Sequence, residues 1–254
     1  MNLRRPARAA LLLVSLCVLA LPAFAQSGKD RDEAAAVNTE LALAYMRQGD
    51  LAAARDKIDK ALEQNPRTAK TQMTAGFIYD RLKDQRKARS HFEQAVRLGK
   101  DDPDVLNNAA AYFCRTGEYK RGEQYLIEAA DSALNRSPDV AWSNAGRCAM
   151  ADGRAKDAEQ HYRKALALNP KQPEALLQLA EIALGNGNGL QARAFLERYA
   201  AVGPVTASTL MLGHRIETSL GDTEQARRYA LRIKDEFPTS AEASQLFDEA
   251  QPRP

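Results

Sequence analysis

Small and large apolar residues recur along the chain at one spacing. Ala54, Ala88 and Gly122 stand 34 residues apart, and so do Ala61, Ala95 and Ala129, then Ala158, Ala192 and Ala226. Larger apolar residues sit between them at Ile58, Phe92, Leu126, Tyr162 and Leu196. Upstream of each set lies a second pattern: Leu41-Ala42 with Tyr45, Ala75-Gly76 with Tyr79, Ala109-Ala110 with Phe113, Trp142 with Ala145-Gly146, and Leu176 with Leu179-Ala180. The phase slips only where Ala165 follows Ala129 by 36. Turn residues separate the two patterns at Gly49-Asp50, Gly117, Gly153, Gly187 and Gly221-Asp222. Prolines at 66, 103, 138, 170, 204 and 238 mark where helices are expected to end.

A small residue is needed wherever one helix approaches another closely, so the pattern predicts paired helices repeated six times. The spacing matches the tetratricopeptide (TPR) repeat, with residues 139–170 closest to its consensus. The expected fold is all-α: a right-handed superhelix of about six helix-turn-helix units over 35–238. The unit boundaries fall at 35–68, 69–102, 103–138, 139–172, 173–206 and 207–238. The sixth is the least regular, because Leu212-Gly213 lies one residue out of phase with Gly221. Thr239-x-x-Glu242 resembles a capping box, predicting a final helix through about Glu249 that covers the last repeat, within a 239–254 cap and tail.

The first 25 residues read as an address. A basic start with Arg4, Arg5 and Arg8 leads into an apolar run from Ala9 to Ala25 that ends in Ala23-Phe24-Ala25. This is the pattern of a secretory signal peptide cut after Ala25. At about 17 residues the run is marginal for spanning a bilayer. Export to the periplasm is expected, with 26–34 as a flexible lead-in. Lipid anchoring at Cys17 is disfavoured, since Leu16 precedes it and Val18 to Leu21 continue the apolar run.

The formal charge of +3 shrinks once those three arginines are set aside, because the remaining basic residues balance the 33 acidic ones. A neutral body offers no electrostatic reason to bind nucleic acid. No metal-ligating spacing, phosphate loop or nucleophile elbow occurs, so no catalytic or metal site, cofactor or small-molecule substrate is expected. His91 and His161 occupy the same position of their units and read, with His214, as solvated surface histidines.

The first helices of stacked units line a concave face. Leu43 and Met46 of unit one, with Met73 and Phe77 of unit two, form an apolar strip there, suited to an amphipathic helix or extended peptide. The alternative is that residues 26–34 cover the strip, or that it packs locally. Later units place Asn107, Arg115, Arg147, Glu181 and Arg215 at corresponding positions, a more polar groove. Cys114 and Cys148 lie on neighbouring first helices. They can form a disulfide in an oxidising compartment or remain two small buried thiols.

Some wording goes beyond a generic repeat. Examples are Leu106-Asn107-Asn108 with Phe113-Cys114-x-x-Gly117, and Asn144-Ala145-Gly146-x-Cys148-Ala149. Others are Pro173-Glu174-Ala175-Leu176-Leu177, Gln191 through Leu196, and Phe237-Pro238-x-Ser240-x-Glu242. Together these resemble the type IV pilus biogenesis/stability protein family (PilF/PilW), the tetratricopeptide pilotins. The resemblance implies a non-enzymatic scaffold that promotes assembly and outer-membrane localisation of the pilus secretin, associating with the outer membrane through that partner. The family's typical member is a lipoprotein, a pattern from which Leu16-Cys17 departs. A general periplasmic TPR adaptor for envelope biogenesis or cell-wall enzymes is the alternative.

Overall fold

The computed structural model describes the backbone of residues 21–250 and the side chains of 28–246; the leader expected over 1–25, Cys17 included, lies almost wholly outside them. Among the described residues there are thirteen α-helices. Twelve form consecutive antiparallel pairs: α1 (Leu21–Gln48) with α2 (Leu51–Gln64), α3 (Ala69–Arg81) with α4 (Gln85–Leu98), and α5 (Pro103–Arg115) with α6 (Tyr119–Asp131). The series continues with α7 (Pro138–Ala151) and α8 (Ala155–Leu168), α9 (Pro173–Gly185) and α10 (Gly189–Ala200), then α11 (Ala207–Leu220) and α12 (Thr223–Glu236). A single helix, α13 (Ala241–Ala250), follows. No helix among the described residues is long and apolar enough to cross a membrane.

One turn, used six times, makes the pairs. In each, the residue just before the second helix donates its N–H to the carbonyl five residues back. The bonds run from Asp50 to Tyr45, Asp84 to Tyr79, Glu118 to Phe113, Arg154 to Ala149, Asn188 to Ala183 and Asp222 to Glu217, all at 2.8 to 3.0 Å. This closure needs a left-handed residue just before the donor. Gly49, Gly117, Gly153, Gly187 and Gly221 supply it with φ between +73° and +88°, and Lys83 does so in the second pair at +63°.

The close approach within each pair follows a size rule. Residues sixteen apart face each other across the pair. Gly76 meets the ring of Phe92, Gly146 that of Tyr162 and Gly213 that of Tyr229; an added Cβ would lie 2.9, 2.6 and 2.6 Å from those rings. At the same offset the other pairs have an alanine and a smaller aliphatic residue: Ala42 with Ile58, Ala110 with Leu126, and Ala180 with Leu196, all buried. The sixth unit's phase slip is explained here, since Gly213 and Tyr229 have both moved by one residue and keep the offset. Gly146→Ala is therefore expected to cost about 2 kcal/mol through overpacking. Adding Tyr162→Leu, which copies the alanine–aliphatic pairs, is expected to recover part of that loss in urea unfolding. No recovery would contradict the size rule.

The chain divides into two compact units, residues 1–98 and 99–254. In the first, α3 packs on both α1 and α2. In the second, consecutive first helices α5, α7, α9 and α11 touch, with α6, α8 and α10 bridging to the next pair. Its end is closed by α13, where Ala243 and Leu246 join Leu210, Met211 and Ile233 in a buried cluster.

Three expectations change in detail. Residues 26–34 are not a loose lead-in but part of α1, where Arg31 donates to the Glu63 carbonyl and Asp32 accepts from Asn65 Nδ2 at 2.8 Å. Pro103 and Pro138 do not mark helix ends; with Pro173 they occupy the first turns of α5, α7 and α9, where a missing N–H costs nothing. The last helix is capped by Ser240, whose hydroxyl accepts from the Ala243 N–H, one residue after the expected Thr239.

Candidate functional site

The four residues of the apolar strip lie on packed helices of the first unit. Leu43 and Met46 share a face of α1 at a spacing of three, and Met73 and Phe77 share a face of α3 at a spacing of four. All four are partly buried, and α1 packs against α3. Phe77 leans edge-on against Phe92, with ring centroids 5.2 Å apart, so its inner edge belongs to the core. Residues 28–34 do not fold back over the strip, because they continue α1 in the other direction and bind the end of α2.

In the second unit Cys114 of α5 and Cys148 of α7 are joined in a disulfide with Cα atoms 5.5 Å apart. Gly122 explains how the bond fits. It holds the small position of α6 that is alanine in the other second helices, and a Cβ there would run into Cys114 Sγ and lie 2.9 Å from the Ala110 carbonyl oxygen. The glycine in the alanine series thus records the neighbouring sulfur.

The histidines are not the solvated residues the sequence suggested. His161 is buried, stacked on Trp142 at 5.4 Å with 24° between planes, and its Nε2 lies 2.7 Å from Glu123 Oε1. His91 stacks in the same way on Tyr79 at 5.3 Å and bonds Gln72 through Nδ1. His214 reaches the Ala226 carbonyl at 2.9 Å. The shared repeat position of His91 and His161 marks a stacking site for an aromatic residue of the first helix. A lysine three residues after His161 or four before His91 also lies over the same ring: Lys164 is 3.8 Å from the Trp142 centroid and Lys87 is 4.5 Å from that of Tyr79.

Glu123 ties three helices together. From α6 it receives His161 of α8 and, at 2.5 Å, Nη2 of Arg154 at the α7–α8 turn; Arg154 also binds Asp152 and Asp157, each at 2.7 Å. Burial opposes ionisation of Glu123, but hydrogen bonds from Arg154 and His161 outweigh it and hold the carboxyl below the usual glutamate range.

At the positions where the sequence placed a polar groove, Arg115, Arg147, Glu181 and Arg215 are exposed and Asn107 is partly buried. Of these, Asn107, Arg115 and Arg147 line a cleft of about 370 Å³ between α5 and α7, together with Asn144, the disulfide, Leu126, Ala111 and Ala151. Sequence reasoning named its polar residues without recognising the hollow, which needs the disulfide and Leu126 to exist.

Family models for the tetratricopeptide repeat match residues 32–101, 115–173 and 149–209. Type IV pilus assembly protein PilF of Pseudomonas aeruginosa is 27% identical over 217 residues, covering 85% of this chain and 86% of that protein. A solved structure of P. aeruginosa PilF superposes with a TM-score of 0.73 at 25% identity, over 87% of this chain and 99% of that one. PilW, described as a widely conserved type IV pilus biogenesis factor, gives 0.73 at 28% identity over 84% and 98%. The chain belongs to the tetratricopeptide repeat family and is similar over nearly its whole length to the pilus biogenesis proteins PilF and PilW.

Proposed function

We propose that the chain is an exported, non-catalytic factor of type IV pilus biogenesis, a pilotin-like scaffold that promotes assembly and outer-membrane localisation of the pilus secretin. The observation that carries this reading is the two-sided coverage with PilF: 85% of one chain matches 86% of the other. A shared repeat alone also aligns long stretches of this chain, but only with a small part of a longer array. The secretin is taken as the partner and the periplasm as the compartment, in keeping with the leader and the disulfide.

The strip of Leu43, Met46, Met73 and Phe77 is the proposed contact. Methionine adapts its shape to a partner, and partly buried apolar groups gain by leaving water on binding. Met46→Glu or Met73→Glu is expected to abolish piliation while the protein keeps its helical circular-dichroism signal and its level in the cell. Normal piliation in both variants would remove the strip from the account.

A further inference from the structure

The helix α1 has a core face and a second face that is also apolar. On the first, Ala35, Thr39 and Ala42 are buried. On the far side Ala34, Val37, Leu41 and Ala44 follow at alternating spacings of three and four, the repeat of a two-helix seam. Ala34 and Ala44 are partly buried, whereas Val37 and Leu41 remain 59% and 40% exposed. Among the described residues α1 packs only on α2 and α3. Those helices meet its core face, where Thr39 Oγ1 lies 3.0 Å from Thr71 Oγ1 of α3.

The seam is complementary to itself. Turned end over end against an identical helix about a two-fold axis, α1 sets Ala34 opposite Ala44 of the second copy and Val37 opposite Leu41, each twice. The alanines let the helices approach at both ends, and the larger pairs fill the middle. Glu33 then flanks the seam opposite Arg47 of the copy, again twice. Neither residue enters an ion pair within its own chain among the described residues. Glu40 meets its counterpart near the axis, where each is already paired with Lys70 of its own chain. A parallel pairing would instead bring Glu33 to Asn38 and Glu40 to Tyr45, and would match no charges.

We infer that α1 is a dimerisation helix, through which two copies of the chain pair antiparallel along Ala34, Val37, Leu41 and Ala44. Matching of size and of charge by one patch with itself is what a two-fold interface requires, and a foreign helix has no reason to meet it. The seam spans about 15 Å of helix, so association at micromolar rather than nanomolar concentration is expected. Leu43 and Met46 lie on the other side of α1, so the pairing leaves the strip open and does not depend on which protein the strip binds.

The test is sedimentation equilibrium of the purified exported protein across the micromolar range. The average mass is expected to rise with concentration towards twice that of the single chain. Leu41→Glu, at an exposed position, should weaken pairing about a hundredfold or more, because each copy places one Leu41 in the seam. Glu33→Arg should weaken it about tenfold by setting like charges opposite each other, and adding Arg47→Glu should restore it, since the exchanged charges match again. Met73→Glu should leave the dimer intact and separate the seam from the strip. A chain that stays monomeric throughout, a dimer that survives Leu41→Glu, or a charge exchange that fails to restore pairing would overturn the inference. A monomeric chain in which Leu41→Glu still abolishes piliation would give the seam to a different protein.

Discussion

Replacing both Cys114 and Cys148 by serine is expected to lower stability by roughly 3 to 4 kcal/mol, the chain entropy released when a loop of this length is opened. The two residues are 34 apart in sequence and join α5 to α7, so the bond crosses from one helical pair to the next. Its loss should be local as well as large. Arrays of repeats are held by nearest-neighbour contacts, and a weakened junction lets the units on either side open separately. Urea unfolding should show a lower midpoint, with hydrogen exchange rising first in α5 to α7. Dithiothreitol should move the unaltered protein to the same midpoint and leave the serine variant where it is. Equal midpoints for oxidised and reduced protein would show that the bond adds nothing to stability.

The next largest effect is expected at Glu123. Glu123→Ala leaves the buried His161 without its acceptor and takes one of three carboxylates from Arg154, a loss of about 3 kcal/mol at neutral pH. An exposed helix pair such as Arg163 with Glu159 should cost no more than about 0.5 kcal/mol when broken. The glutamate also makes a pH signature. Its carboxyl is held below the ordinary range in the folded protein, so its stabilisation is complete above the unfolded value of about 4.3. That stabilisation is lost as the pH falls through the depressed folded value. Glu123→Gln mimics the protonated form, so the gap between it and the unaltered protein should be wide at pH 7 and narrow steadily below about pH 4. A gap that stays constant into acid would mean that the charge of Glu123 is not what matters.

What the sequence made legible was whatever repeats. The spacing of Ala54, Ala88 and Gly122 located the second helices, and the glycines at 49, 117, 153, 187 and 221 located the turns, because both are local requirements of one geometry used many times. Contacts made by single polar residues were harder to see. His161 looks like a surface residue until Trp142, nineteen positions earlier, is known to lie flat against it. Glu123 and Arg154 are 31 apart and carry no spacing signal. Residues 28–34 offered no regular apolar stripe, since Arg31 and Asp32 are held by polar contacts to the end of α2. Proline marks a helix boundary without saying which side of it the helix lies on, and Pro103 and Pro138 open the helices that follow them. For the candidate sites, residue type and position were readable on the first helices, whereas the cleft depended on the disulfide and on Leu126 reaching across from α6.

The proposed role in secretin assembly can be read from the secretin's own state in a strain lacking this chain. Separated inner and outer membranes would be probed for detergent-resistant secretin multimers. Secretin monomers should accumulate or stay in the inner membrane, and the exported chain, supplied without any lipid, should restore multimers in the outer membrane. Multimers that form and localise normally without it would rule out that role and leave the chain as an adaptor for some other envelope partner.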